Sequence, residues 1–297
     1  IFIDGNRERQ AYEGDAYINQ LSYFCCDDHF EIARKTIERL FDWPTWPTEW
    51  ALAMPLLVHD YLLYTGDMEH AREWYPALKP KLLLELAGEN ALISPQNLKE
   101  GVRFPGFPAG VSYRDLIDWP PGERDGYELG FYNLVPNCWH YAALERMSQL
   151  ADILGKAEDA AFYRQRASLV RTAINGQMLK QGRYVDNPES SHTALHSLIF
   201  PLVFGVAPDA IRAELLRDVQ SRGMACSVFA AQFLLEASYR NRLADYALSL
   251  MTADSLRSWQ NMLKRGATIT MEAWDDSLKP NQDWNHPWGA SPVNIIS

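Results

Sequence analysis

What this sequence has little of already excludes several classes of function. Basic charge is scarce: 28 lysines and arginines face 38 acids, for a net charge of −10. Binding to nucleic acid needs a clustered excess of Lys and Arg, so no nucleic-acid partner is expected, and anionic membrane surfaces are disfavoured for the same reason. No apolar run reaches the roughly 20 residues of a transmembrane helix, so no membrane partner is expected. Cysteine is limited to Cys25, Cys26, Cys138 and Cys226. The adjacent pair fits neither a disulfide framework nor a CxxC metal site, and the four read as structural thiols, with a soft-metal site at Cys25-Cys26 the lesser alternative. P-loop, GxGxxG and GxSxG motifs are missing, which removes support for phosphoryl transfer, dinucleotide redox chemistry and serine hydrolysis. No sustained alternation marks a strand; Val102-Arg103-Phe104 and Ala267 to Met271 are the extended candidates. No self-similarity at the periods of TPR or HEAT solenoids is found. There is neither an initiator Met nor a signal-like segment. Both ends read as cuts in a longer polypeptide, and the compartment stays unknown.

What is present is helical periodicity. Phe30, Ala33, Ile37, Leu40 and Phe41 form one apolar stripe at 3–4 residue spacing; Tyr141, Leu144, Met147, Ala151 and Leu154 form another. Gly155 supplies a stop, Asp67 a cap for the helix through Leu78, and Asp254 a cap for the helix through Leu263. The pattern predicts helices over 15–27, 28–42, 49–65, 68–87, 129–154, 157–179, 192–204, 208–221, 226–239, 242–252, 254–264 and from 289 onward. That succession, 1–297 as a single domain, suits an all-α (α/α)6 barrel: six inner and six outer helices alternate, and loops at one end build a cleft. Periodicity alone leaves another large helical bundle open. The long connections are 88–128, 180–191 and 264–288, and long loops in a compact helical domain tend to carry function.

Three stretches carry candidate chemistry. Asp4-Gly-Asn-Arg-Glu8-Arg-Gln-Ala-Tyr12-Glu-Gly-Asp15 packs four acids, two arginines and two glycines ahead of an apolar helix. It reads either as a solvated loop with Asp15 as N-cap, or as a site in which Arg7 and Arg9 orient Glu8. Thr268-Ile-Thr-Met-Glu272-Ala-Trp274-Asp275-Asp276 sets an acid between apolar residues, a setting that tunes a carboxylate's pKa. The alternative there is a helix-capping acidic turn. The polar loop that follows carries Trp284, Asn285, His286 and Trp288. The third stretch, Asp115 to Gly126, holds Asp118-Trp119-Pro120, with Trp119 placed for stacking on a sugar or for plugging its own loop. Five of the ten Trp, namely 43, 46, 119, 284 and 288, lie in Pro/Gly/Asp-rich stretches rather than on helix faces. His192 and His196 have the spacing of a zinc pair, but Thr193 stands where H-E-x-x-H has Glu and no third ligand follows. They read as core or cleft-wall histidines, and no metal or cofactor is expected.

Taken in order, these stretches resemble the α-L-rhamnosidases of glycoside hydrolase family 78. Asp4-Gly5-Asn6, Arg7-Glu8-Arg9 and Tyr12-Glu13-Gly14-Asp15 match the family's acid motif. Asp118-Trp119 resembles its Asp-Trp loop, Met271-Glu272-Ala273-Trp274-Asp275 its Trp-Glu-x-Trp-Asp motif, and Asn285-His286 its later Asn-His. The resemblance covers essentially the whole chain. It departs at Gly5-Asn6 for Cys-Pro, at Tyr12 and Met271 for Trp, and in an acid motif one or two residues short. It implies the barrel, hydrolysis of terminal α-L-rhamnosides with inversion, Glu8 as general acid and Glu272 as general base. It also implies that Asp4, Tyr12, Asp15, Trp119 and His286 hold the sugar, and that β-sandwich domains accompany the barrel in the parent chain. An inverting pair should stand roughly 6.5–9.5 Å apart, leaving room for a water. Another glycosidase or a polysaccharide lyase on the same barrel, or a non-catalytic carbohydrate-binding barrel, remain the alternatives.

Overall fold

Two kinds of helix alternate along the chain, and their surfaces dictate where each sits. The segment TEWALAMPLLVHDYLLYT is apolar around its whole circumference and forms α3 (Thr48–Thr65), buried on nearly every side. The preceding α2 (Glu31–Asp42) is two-faced: Ala33, Thr36, Ile37 and Leu40 are buried, while Arg34 and Glu38 pair at 2.7 Å on the outside. A helix hydrophobic all round must be enclosed by others, and one with a single apolar stripe can enclose it. In the computed structural model, which describes residues 1–98 and 112–297, this sorting builds a double ring. The inner helices are α1 (Glu13–Phe24), α3, α5 (Leu134–Ile153), α7 (Leu195–Val203), α9 (Val228–Arg240) and α12 (Ser291–Ile296). Each packs against the next, and α12 closes the circle on α1. The outer helices are α2, α4 (Met68–Leu78), α6 (Ala157–Met178), α8 (Asp209–Arg222) and α10 (Ala244–Met251), with α11 (Trp259–Lys264) following. This is the expected all-α barrel. One hydrophobic cluster runs through it, centred on Trp139, Phe200 and Phe233, whose rings meet at 4.9–6.1 Å.

Helix ends differ from expectation where side chains supply partners elsewhere. Asp67 does cap α4, accepting from His70 N at 3.1 Å. The helix stops at Leu78 rather than continuing to 87, because Pro76 and Pro80 lack the N–H that another turn would need, and two short 3-10 turns follow. α5 begins at Leu134 rather than at 129: the Leu134 N–H is taken by the Asp186 carbonyl, and Gly130 N by Asn133 Oδ1. α11 begins at Trp259, capped by Ser258, whereas Asp254 pairs with Lys264 instead of capping. A two-residue hairpin, β1 (Leu179–Lys180) with β2 (Arg183–Tyr184), turns on Gln181 and Gly182, both at positive φ. Residues 267–271 form no strand, and Val102-Arg103-Phe104 lie outside the described residues.

Residues before α1, at the start of α3, in the 116–119 loop and before α12 line one pocket. The candidate site is built from those segments. Among the described residues, no helix is long and apolar enough to cross a membrane.

Candidate active site

Ring closure brings the two ends of the chain together. The 5–7 loop is strapped to the 283–286 loop: Gly5 N donates to the Asn285 carbonyl at 3.0 Å, and Asp283 Oδ1 accepts from the Asn6 and Arg7 amides. Gly5 has φ +68, and a Cβ there would fall 2.1 Å from Asp283 Oδ2, so only glycine fits this approach. The 283–286 loop pairs in turn with 270–272, through Glu272 N to Asp283 O and His286 N to Thr270 O. Both acidic stretches thereby face one pocket of about 210 Å³, lined by Arg7, Glu8, Tyr12, Asp15, Trp46, Trp50, Leu116, Trp119, Glu272, His286 and Trp288.

Buried carboxylates below the rim hold the loops that carry the aromatic walls. Glu13, fully buried, accepts from Thr45 N and Thr45 Oγ1 and so fixes the turn leading to Trp46. Glu49 accepts from the Leu116 and Ile117 amides, and burial beside Asp115 raises its pKa to about 7. Asp118, also fully buried, takes the Trp119 amide, Ser227 N and Oγ, and His196 Nε2 at 2.7 Å. Trp119 Nε1 then reaches Glu272 Oε1 at 3.3 Å. On the far wall, Tyr12 meets Trp50 edge to face at 5.3 Å. Gly14 makes room for that indole, since a Cβ would stand 2.3 Å from Trp50 Nε1. Burial, with Glu8 nearby, pushes the Tyr12 hydroxyl up to about 12, so it serves as a neutral donor.

Glu272 is almost completely buried yet fully coordinated. Its Oε1 receives Arg7 Nη2 at 2.9 Å and the Trp119 indole; its Oε2 receives Asp283 N at 2.9 Å and faces Lys279 Nζ at 3.3 Å. Burial alone would raise its pKa, but the Asp283 amide and the charges of Lys279, Arg7 and His286 outweigh it. The net shift is downward, and the group stands ionised at neutral pH. Glu8 is more exposed. It pairs with the same Arg7 Nη2 at 2.6 Å. Two contacts of 2.6 and 2.9 Å to one nitrogen hold the nearest Glu8 and Glu272 oxygens closer together than the roughly 6.5–9.5 Å expected of an inverting pair. Arg7 is the cause, because its guanidinium lies between them.

Asp15 is enclosed and its Oδ1 has no partner in the protein. Burial first, then the charges of Asp4, Glu8, Glu272 and Glu13, hold its pKa well above the usual carboxylate range. Asp4, Asp15 and His286 bring ligand atoms within 4.8 Å of one another. His286 Nδ1 and Asp4 Oδ2 face each other at 3.1 Å, and Asn19 Nδ2 donates to Asp4 Oδ1 at 2.6 Å, whereas Asp15 Oδ1 faces no partner in the protein.

The family model for the bacterial α-L-rhamnosidase six-hairpin glycosidase domain matches residues 1–296. This chain belongs to that family. No protein of curated function matches it by sequence. Among solved structures, a rhamnosidase from Klebsiella oxytoca with rhamnose bound superposes with a TM-score of 0.80 at 19% identity, over 100% of this chain and 60% of that one. The GH78 family rhamnosidase of Bacillus sp. GL1 gives 0.80 at 20%, over 97% and 32%. The α-L-rhamnosidase from Dictyoglomus thermophilum gives 0.76 at 18%, over 97% and 33%. The chain thus spans between about a third and three fifths of these structures, and at such identities the likeness fixes the fold. The family is the helical domain of the GH78 rhamnosidases, as the ordered motifs indicated.

Of the residues singled out in the sequence of this six-hairpin domain, Glu8, Tyr12, Asp15, Trp119, Glu272 and His286 meet in the pocket. Asp4 does not line it; it sits behind the wall against His286 and Asn19. Of the loop tryptophans, Trp46, Trp119 and Trp288 line the pocket, while Trp43 stacks under Arg39 and Trp284 bonds Asp276, both largely exposed. His196, fully buried, bonds Asp118, and the partly exposed His192 bonds Asp186. Leu116 and Glu49 escaped the sequence reading, as did the contacts made by Glu13, Lys279 and Asp283. Their signal is contact across 7 to 68 positions, which no local motif encodes.

Proposed function

We propose that this domain hydrolyses terminal α-L-rhamnosides, or closely related glycosides, with inversion. The observation that carries the reading is the meeting of Glu8 and Glu272, from opposite ends of the chain, in one tryptophan-walled pocket of a rhamnosidase-family barrel. Glu8, on the more open side, protonates the glycosidic oxygen as its bond to the anomeric carbon breaks. Glu272 takes a proton from a water that attacks that carbon from the opposite face, and the positive charge of the sugar ring peaks between the two carboxylates. An ionised, buried carboxylate with every other bond satisfied is suited to the base's task. Asp15 Oδ1, the Tyr12 hydroxyl and His286 bind sugar hydroxyls, and Trp119 with Trp46 and Trp50 covers the apolar sugar face. Asp4 acts from behind by orienting His286.

The test is hydrolysis across a panel of aryl glycosides with α-L-rhamnoside included, followed by proton NMR of the first product formed. Release of β-L-rhamnose supports the reading. Release of the α anomer overturns inversion, preference for another sugar overturns the substrate, and an unsaturated product absorbing in the ultraviolet assigns the barrel to a lyase.

A further inference from the structure

Resting on that reading, the geometry points to Arg7 as a two-position positioning residue: bound between Glu8 and Glu272 in one position, and moved onto Asp283 when a glycoside enters. Three observations converge on this. The first is steric. An inverting reaction needs the anomeric carbon and its attacking water between the two carboxylates, yet Arg7 Nη2 occupies that space, 2.6 Å from Glu8 and 2.9 Å from Glu272. The guanidinium must leave for a sugar to sit there.

The second concerns the means of leaving. Glu272 is pinned by Trp119, Lys279 and the Asp283 amide, and its side chain is 2% exposed; that of Arg7 is 39% exposed. When the three groups must separate, Arg7 is the one free to go. The third concerns the destination. Asp283 Oδ2 is a buried carboxylate oxygen with no hydrogen-bond partner, and it already lies 3.9 Å from Arg7 Nε. Its twin Oδ1 is occupied by the Asn6 and Arg7 amides, so the residue's backbone tether and its vacant acceptor belong to the same carboxylate. An unpaired buried acceptor is costly, and a guanidinium moving a short way to meet it offsets the broken ion pair with Glu8.

The consequence is a division of roles within one motif. Contacts to Glu8 close the pocket, and contacts to Asp283 open it. A sugar binds only the open form, so its apparent affinity is scaled by the fraction open. Asp283→Asn, which replaces one of the two acceptor oxygens by a donor, should weaken binding of rhamnose. Arg7→Met, which removes the guanidinium, should tighten rhamnose binding by about fivefold or more, because no guanidinium then has to leave the pocket. The decisive measurement is calorimetry with rhamnose on the wild type, both single variants and the double variant. Expected is a loss of about fivefold for Asp283→Asn in the wild-type background and none in the Arg7→Met background. A purely structural role for Asp283 gives the same loss in both backgrounds and overturns the proposal, as does weaker binding by Arg7→Met. Should the wild type bind no rhamnose, the function reading fails instead. Arg7 is then judged in the free protein by the NMR signal of its Nε–H. Glu8→Gln should shift that signal, and adding Asp283→Asn should abolish the shift; no shift on Glu8→Gln overturns the proposal.

Discussion

Glu272 and Glu8 face the same pocket and touch the same guanidinium nitrogen, yet they are held in opposite ways. Glu272 is buried under Trp288, whose Nε1 donates to its carbonyl, and both carboxylate oxygens are occupied by donors from the loops before α5 and α12. Glu8 sits on a short segment ahead of α1, partly exposed, with Arg7 as its salt-bridge partner. The difference suits the two tasks proposed for them. A base that must hold one water in line gains from rigidity and from being ionised before substrate arrives. An acid that must follow a departing oxygen gains from freedom to move.

The largest expected effect tests the rigid side. Glu272→Gln should lower kcat by about 10²–10⁴-fold on every glycoside, activated or not, because no other carboxylate in the pocket has its position. Retained hydrolysis would remove the base from the mechanism and the comparison with it. Glu8→Gln tests the mobile side. The loss should be of similar size on alkyl or sugar leaving groups and about tenfold or less on nitrophenyl glycosides, whose leaving oxygen needs little protonation. Equal losses on both substrate types would show that Glu8 does not donate the proton.

A third experiment sharpens the comparison through pH. The Glu272 pKa is lowered, against the pull of burial, by the Asp283 amide and by Lys279, Arg7 and His286. A base with a lowered pKa stays active as pH falls, until its own pKa is reached. The acid limb of kcat/KM should therefore lie below the ordinary glutamate value. Lys279→Met removes one of the cations, so the limb should move to higher pH, by about one unit for a charge this close. A limb that stays in place would mean that another group controls it.

How far the sequence foretold this site depends on the range of each contact. The helices were legible because their cause is local, as the single apolar stripe of α2 shows, whereas the barrel was legible only through the ordered family motifs. The lining acids and Trp119 were legible through ordered motifs. Their support was not. Glu49 reaches the Leu116 and Ile117 amides, and Asp118 reaches His196 and Ser227, across 67 to 109 positions. Each looks in sequence like an ordinary acid of a helix start or loop. Asp4 shows the converse: it stands in the motif beside Glu8, but the positive φ of Gly5 turns the chain so that Asp4 points behind the wall. Arg7 was visible as a neighbour of Glu8, whereas its bond to Glu272 appears only once α12 closes on α1.

The smallest effect expected is on stability, and it separates the pocket floor from both walls. Asp15 is enclosed, its Oδ1 unpartnered, and burial together with the neighbouring acids holds its pKa well above the usual range. For a carboxyl whose folded pKa is raised, the folded state prefers the proton. That preference costs no stability below the unfolded value near 3.8, and the cost grows as pH rises from there toward the folded pKa. Asp15→Asn keeps the shape, removes the titration and so should leave the melting temperature unchanged near pH 3.5. It should raise the melting temperature by a few degrees at pH 7 to 8, while sugar binding falls. Melting curves of the two proteins across pH 3.5 to 8 decide it: a gap that widens with pH identifies Asp15 as a group that folding disfavours and the sugar requires. A constant gap would instead show that bonds rather than titration set the contribution of Asp15 to stability.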